Sequence, residues 1–302
     1  MKSVWKVSIE EEFKKNPELR KDDLQHLRDW YNKQPHFPKF MDDNGLIVFL
    51  HSNYYRLEPT KNTIENYLTS RTHMPEYFSN RDPLGSKELR KMMNTMLVLP
   101  LEKKTPEGYG IIYSRLIDFD PSRYVYNDAM RLYNMISELW LLREGTMPGY
   151  VIICDIYGVQ MAHALRVPPM GIKKCLYYLQ EAVPLRIKGL HFLNTSPVMD
   201  FILGLMKPFM KKELMDVLHL HSNLDSFGKY IPPDVLPNEI GGSAGQMMDL
   251  YTKVLKDVED HRDYFIEEEA EMRVDESKRP GKPKTATDLF GVEGSFKKLD
   301  ID

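Results

Sequence analysis

Apolar side chains recur every three or four positions in the first 80 residues. The clearest stretches are Leu24–Tyr31, Leu46–Leu50 and Ile64–Leu68, and polar residues fill the positions between the apolar ones. This period is typical of helices that bury one face. The pattern therefore predicts a helical N-terminal module over residues 1–81.

The pattern changes after this module. Short strand-like runs at 110–117, 150–156 and 187–194, the first two rich in β-branched residues, alternate with longer helical patterns. The second run, YVIICDI, is almost wholly apolar, which is typical of a strand buried on both faces. Strand–helix–strand alternation favours a mainly parallel sheet with right-handed crossovers. We therefore expect an α/β domain over residues 82–246.

The C-terminal part has a different composition. A helical pattern over residues 247–274 ends in an acidic run, and residues 275–302 are rich in charge and proline with little apolar content. A segment of that kind buries too little apolar surface to offset the entropy lost on ordering. We expect a C-terminal helix over 247–274 and a largely disordered tail over 275–302.

The most informative stretch is SPVMDFILGLMKPFM, residues 196–210. Between Pro197 and Met206 its only charge is Asp200, so a helix there has almost no polar face. A surface helix normally has one apolar stripe, and this one must therefore be covered on both sides. Two interpretations remain open. It is a core helix wrapped by protein, or a lid between an apolar cavity and a bilayer.

Four cations lie near this stretch. Arg186 and Lys188 are two positions apart on a predicted strand, so their side chains share a face. Such a pair can hold a phosphate. Lys211 and Lys212 follow the apolar run, where lysines suit anionic headgroups. The alternative interpretation of all four is that they are solvated ends of secondary structure.

Composition and motifs limit the function classes. The formal net charge of −3 gives no global basic field, so we expect no nucleic-acid partner. The two cysteines lack metal-ligand spacing, and His219 and His221 alternate on a predicted strand without a third ligand, so we expect no metal and no cofactor. No nucleotide-binding glycine loop or nucleophile elbow is visible. An acidic N-terminal stretch without an apolar core does not favour secretion. We expect a cytoplasmic protein that is transiently peripheral to membranes and is not an enzyme.

Several separate pieces resemble the CRAL-TRIO lipid-binding family, and they occur in that family's order. They are GIIYSRLIDFDP at 110–121, ICDIYGVQMAHA at 153–164, PLRIKG at 184–189, KPFM at 207–210 and LPNEIGG at 236–242. The resemblance covers roughly residues 20–265. It implies a mainly parallel sheet that floors a hydrophobic cavity, with a mobile gate helix at residues 196–215, beside an all-helical N-terminal module.

The resemblance also implies a set of ligand-binding positions. They are Met130, Tyr133, Ser137, Tyr150, Cys154, Val167, Cys175, Tyr178, Leu179 and Val183, together with Phe201, Ile202 and Leu205 on the gate. The three tyrosines are bulkier or more polar than their counterparts in the family's vitamin E carrier, which disfavours tocopherol as the ligand. A buried tyrosine hydroxyl usually finds a partner, so we expect a ligand with a hydroxyl, carbonyl or carboxylate.

A phosphoinositide headgroup is the second partner that the resemblance implies. In the family's vitamin E and retinaldehyde carriers, one pair of cations matches Arg186 and Lys188. The second pair falls at Glu213 and Val217, which are not basic, although the nearby Lys211 and Lys212 can substitute. We therefore expect these four cations to contact phosphate.

The expected function is binding of a hydrophobic small molecule and its transfer between membranes inside the cell. Retinoids, tocopherols, terpenoids and phospholipids all remain open as ligands. The alternative from another class is a phosphoinositide-sensing adaptor in membrane trafficking. A stoichiometric lipid that co-purifies with the protein would favour the carrier.

Overall fold

The computed structural model describes residues 4–39 and 41–291. In this described part, six helices precede the first strand: α1 (Ile9–Lys15), α2 (Lys21–Asn32), α3 (Asp43–Ser52), α4 (Leu57–His73), α5 (Pro75–Phe78) and α6 (Lys87–Met93). Ser8, Asp42 and Ser86 cap three of them, each accepting a backbone N–H from the third residue along. Leu27, Leu46 and other buried apolar residues form a small core of their own. The helical N-terminal region is confirmed.

Within the described residues, five strands form one sheet in the order of the chain. They are β1 (Met96–Pro100), β2 (Gly110–Leu116), β3 (Tyr150–Asp155), β4 (Ile187–Leu193) and β5 (Leu218–His221). The first two strands are antiparallel, and every later pair is parallel. The prediction of a mainly parallel sheet is confirmed.

Helices connect each pair of parallel strands. Helix α7 (Tyr126–Glu144) joins β2 to β3; α8 (Met161–Ala164), α9 (Pro169–Tyr177) and a π-helical turn (Tyr178–Ala182) join β3 to β4; and α10 (Val198–Met206), a 3₁₀ turn (Lys207–Phe209) and α11 (Lys212–Met215) join β4 to β5. Right-handed crossovers between strands laid down in chain order all fall on one face of a sheet. The space between that face and these helices is where a cavity can form.

Further helices follow the sheet. They are α12 (Leu224–Phe227), 3₁₀ turns at Pro233–Val235 and Asn238–Ile240, α13 (Met247–Asp260) and α14 (Arg262–Glu271). The single helix expected over 247–274 is divided at His261, whose φ of −99° and ψ of 23° interrupt the helical backbone. Helix α13 packs against β1 and α7.

Residues 275–291 differ from the expected disordered tail. They form a 3₁₀ turn (Glu276–Lys278) and α15 (Ala286–Phe290). Arg279 is paired with Glu65 and Glu276, and Phe290 is 1% exposed, with its ring 5.3 Å from that of Tyr177. Ion pairs and one buried ring thus replace the apolar content that the segment lacks. The rest of the predicted tail, residues 292–302, lies outside the described residues.

A buried square of charges joins distant parts of the chain. Arg71 on α4 and Arg81, between α5 and α6, each pair with both Glu138 on α7 and Glu268 on α14. Both arginines are 0% exposed. Burial opposes ionisation of Glu138, but the two arginines outweigh it and hold the pKa of that carboxyl below its usual value. We refer to this group as the charge square.

Candidate functional site

A cavity of about 280 Å³ lies between the sheet and the crossover helices. Side chains of alternate strand residues, such as Ile112, Ile152 and Leu190, form its floor. Helices α7 and α9 supply its walls, and α10 closes it with Ile202 and Leu205. Small-molecule sites in proteins usually measure about 300–1,000 Å³, so the volume of this cavity lies just below that range.

Most of the ligand-binding residues expected from the sequence meet in this cavity. Its lining includes Met130, Tyr133, Ser137, Tyr150, Cys154, Val167, Cys175, Tyr178, Leu179, Val183, Ile202 and Leu205. Phe201 is the exception, because it lies on the outer side of α10 and is 37% exposed. Successive helical residues are turned by about 100°, so the position next to Ile202 faces away from the cavity. The assignment of Phe201 to the cavity wall is corrected accordingly.

Several lining residues were not anticipated. Asn134 and Trp140 extend the inward face of α7 by the helical period, so the spacing from Met130 and Ser137 could have found them. Tyr124 and His163 also line the cavity. His163 lies inside the ICDIYGVQMAHA segment, but nothing in its spacing marks its side chain as inward-facing.

Two hydroxyl groups form a polar region in the otherwise mainly apolar lining of the cavity. Tyr133 and Ser137 lie four residues apart on α7, and within the described residues neither buried hydroxyl has a hydrogen-bond partner. The Tyr150 hydroxyl, in contrast, donates to the Gly145 carbonyl at 3.3 Å. A buried polar group without a partner costs about 1–3 kcal/mol. The Tyr133–Ser137 pair is therefore suited to a ligand that carries a hydrogen-bonding group.

The two cysteines behave as apolar lining. Burial raises the pKa of the Cys154 thiol to about 12 and also raises that of Cys175. Both thiols therefore stay protonated near neutral pH, and the Cys175 sulfur lies 3.7 Å from that of Met130. Weakly polar sulfur atoms adapt to irregular ligand surfaces.

Helix α10 has two faces. On its inner face the side chains of Met199, Leu203 and Met206 are buried, whereas on its outer face the Phe201 side chain is exposed. Pro208 has no N–H to continue the helix, and the chain passes into the 3₁₀ turn. We call α10 and this turn the gate segment.

One glutamine forms hydrogen bonds with the end of the gate segment. Gln180, in the π-helical turn, donates to the Phe209 carbonyl at 3.0 Å and accepts from the Lys211 N–H at 2.6 Å. Lys211 also forms an ion pair with Glu181 in the same turn. Leu179 of the same turn lines the cavity. The π-helical turn therefore forms part of the cavity wall and also holds the end of the gate segment.

Exposed apolar side chains lie on α10 and on the neighbouring segment around α8. Helix α8 packs against α10. Near it, Tyr157, Met161 and Leu165 are 51%, 42% and 68% exposed, and Phe201 adds its ring from α10. Exposed apolar side chains grouped in this way mark surfaces that meet another apolar phase.

The predicted phosphate-binding cations are divided among different partners. The Arg186 Nε donates to the His51 carbonyl at 2.7 Å, and its guanidinium lies 4.1 Å from the centre of the Tyr54 ring. The Lys188 Nζ donates to the Tyr54 hydroxyl at 3.1 Å. The Arg186 Nη2 is buried without a partner among the described residues. Arg186 and Lys188 therefore both contact the Tyr54 side chain. The φ of Tyr54 is +53°, a left-handed backbone conformation that is strained for a tyrosine.

The second pair of cations forms ion pairs with nearby carboxylates. Lys211 pairs with Glu181, and Lys212 pairs with Asp216, the residue that follows α11, at 2.5 Å. Both lysines are largely exposed. An anion at this end has to compete with these carboxylates.

His219 and His221 stack with His191 on the face of the sheet opposite to the cavity. The Nδ1 of His191 lies 2.9 Å from the Nε2 of His221, and the His219 ring is centred 4.8 Å from the ring of His191. Burial lowers the pKa of all three imidazoles, that of His191 to about 3. In the described part of the chain, no three His, Cys, Asp or Glu side chains are placed to hold a metal ion.

None of the helices in residues 4–39 and 41–291 has the length and apolarity needed to cross a membrane.

Comparisons with known proteins show which proteins this chain resembles. A family model described as "CRAL/TRIO domain" matches residues 94–242, and one described as "Pinta-like, UBA domain" matches residues 16–88. The alpha-tocopherol transfer protein-like protein of Mus musculus is 31% identical over 240 residues, which is 78% of this chain and 69% of that protein. The protein of the same name from Homo sapiens is 30% identical over the same shares. Clavesin-1 of Mus musculus is 26% identical over 237 residues, 77% of this chain and 66% of that protein.

Proposed function

We propose a lipid-carrying function on the premise that this chain belongs to the CRAL/TRIO family. The protein binds one apolar molecule in the cavity and exchanges it with membranes by opening the gate segment. The observation that carries the proposal is the mainly apolar cavity beneath α10. Removing apolar surface from water contributes about 25 cal/mol per Å², and this is the driving force for loading.

The size and polarity of the cavity narrow the ligand class. A phospholipid with two acyl chains is too large for about 280 Å³ while the gate segment is closed. A retinoid or another compact terpenoid with one polar end suits the space better. Its hydroxyl or carbonyl then pairs with the hydroxyls of Tyr133 and Ser137.

Release takes place at a membrane surface. Phe201, Leu165 and Met161 present apolar side chains on the outer side of the gate segment. When the gate segment opens, α10 loses the contacts beneath it, and burial of these three side chains in the bilayer offsets that loss. The ligand can then leave into an apolar phase without crossing water.

Headgroup contact is proposed for Arg186 and Lys188. Both touch Tyr54, so an arriving phosphate must displace that ring, and the unpartnered Nη2 of Arg186 offers a donor to it. Lys211 and Lys212 contribute only if they leave their carboxylates. A phosphoinositide-sensing adaptor remains the second candidate, favoured by this cationic pair.

Organic extraction of the purified protein, followed by mass spectrometry, tests the carrier. We expect about one equivalent of a single apolar compound. In the Cys154→Phe variant the new ring occupies the cavity, so the compound should be lost without loss of stability. Cys154→Ala, which leaves the cavity open, is the matched control and should retain it. A wild-type protein that carries no lipid and takes up no added retinol would point to the adaptor.

A further inference from the structure

His163 occupies an unusual position in the cavity wall. It is 2% exposed and lines the cavity from α8. Its Nδ1 accepts the backbone N–H of Gln160 at 3.1 Å. A nitrogen that accepts a hydrogen bond carries no proton, so in the neutral ring the proton lies on Nε2. That Nε2 is buried and has no partner within residues 4–39 and 41–291.

The surroundings keep this imidazole neutral. Burial, and then the charge of Arg166, lower the pKa of His163. The ring therefore presents a neutral N–H donor rather than a cation at pH 7. Buried donors nearly always find an acceptor, and because His163 forms part of the cavity wall, the cavity is where an acceptor can come from.

The Nε2–H donor of His163 and the Tyr133–Ser137 pair lie at different positions along the axis of α7. The His163 ring is centred 6.0 Å from that of Tyr124, just before the start of α7 at Tyr126. An α-helix rises about 1.5 Å per residue, so Tyr133 and Ser137 lie about 10 Å and about 16 Å along the axis from Tyr126. Met130, on the α7 face between these levels, also lines the cavity.

We infer that His163 is a second polar contact for the ligand, a proposal that rests on the carrier function above. The ligand class is an elongated apolar molecule with a hydrogen-bonding group at one end and an acceptor oxygen further along. The first group meets Tyr133 and Ser137, and the acceptor takes the Nε2–H of His163. A carbonyl or ether oxygen about 10–16 Å from the first group satisfies both.

Two matched alcohols test this inference by isothermal titration calorimetry. One is 1-tetradecanol, and the other is 14-hydroxytetradecan-5-one, in which a ketone stands at the tenth carbon from the hydroxyl. We expect the wild-type protein to bind the ketone about 5- to 10-fold more tightly, as one net hydrogen bond supplies.

Two substitutions separate the contact with the ligand from the contact with the backbone. In His163→Asn the side-chain oxygen can still accept from the Gln160 N–H, but nothing reaches the position of Nε2. In His163→Gln the amide N–H reaches that position, but the backbone contact is lost. We expect the preference for the ketone to vanish in His163→Asn and to persist in His163→Gln.

The outcomes distinguish this inference from the carrier function. Equal binding of the two alcohols by the wild-type protein overturns the role of His163 and leaves the carrier function intact. So does a preference that survives in His163→Asn. If the wild-type protein binds neither alcohol, the inference fails, while lipid extraction and retinol uptake decide the carrier function separately.

Discussion

Replacing Phe201 with aspartate changes the outer side of the gate segment without touching the cavity wall. The side chain is 37% exposed. Full burial of a phenylalanine contributes about 1.5–3 kcal/mol, so the exposed third offers about 0.5–1 kcal/mol on contact with a bilayer. A carboxylate at the same shallow depth costs up to about 1 kcal/mol more. The sum of about 0.5–2 kcal/mol corresponds to transfer that is about 2- to 30-fold slower.

The assay is transfer of retinol, which is fluorescent, from donor vesicles through the protein to acceptor vesicles that carry a quencher. Equilibrium binding of retinol should stay within about twofold of wild type, because the cavity lining is unchanged. Exposed substitutions usually change stability by less than about 0.5 kcal/mol, so the thermal midpoint should hold. Met248→Asp is the matched control, since Met248 is 49% exposed on α13, a helix that packs against β1 and α7.

Two results would refute the reasoning. Phe201→Asp could transfer retinol at the wild-type rate, in which case the outer face of α10 does not enter the bilayer. Alternatively, Met248→Asp could slow transfer as much as Phe201→Asp does. The effect would then come from added negative charge anywhere on the surface.

Three further predictions concern stability and gating. Glu138→Gln removes a charge shared by two buried arginines and should lower the free energy of unfolding by about 3–5 kcal/mol in urea titrations; a loss below 1 kcal/mol would contradict the geometry of the charge square. Gln180→Leu removes hydrogen bonds at the end of the gate segment and should speed retinol release about fivefold in stopped-flow measurements, whereas an unchanged rate would exclude Gln180 from the closure. Burial lowers the pKa of His191 to about 3 from an unfolded value of 6.5, so the neutral stack should stabilise the fold fully above pH 6.5 and lose that contribution as the pH falls towards 3. Urea midpoints that stay level between pH 7.5 and 5 would argue against a buried neutral stack.

The period of apolar residues predicted most of the fold. The runs at 110–117, 150–156 and 187–194 became β2, β3 and β4, because most residues of these strands are buried and most of the buried ones are apolar. Strand β1, MLVLP, was missed. It is a five-residue apolar run that directly follows a helix and pairs antiparallel with β2, so it is not part of the strand–helix–strand alternation. The π-helical turn after α9 has no sequence signal distinct from that of an ordinary helix.

Much of the candidate site was also predictable, but the directions of side chains were not. Positions on α7 could be assigned to one face because its inward residues follow the helical period. The gate segment is apolar on all sides, so its rotation could not be deduced, and Phe201 was assigned to the wrong side. Lys212 and Asp216 are four residues apart and could have been paired from the sequence. The contact between Arg186 and Tyr54 joins residues far apart in the chain and required the fold.

The charge square bears on how this protein can be divided. Glu138 belongs to the region matched by the CRAL/TRIO model, whereas Arg71 and Arg81 precede that region and Glu268 follows it. A fragment of residues 94–242 would contain the buried Glu138 carboxylate but neither of the two arginines that pair with it. The two flanking segments are thus obligatory partners in folding, and a graft of the cavity onto another scaffold must bring all four side chains with it.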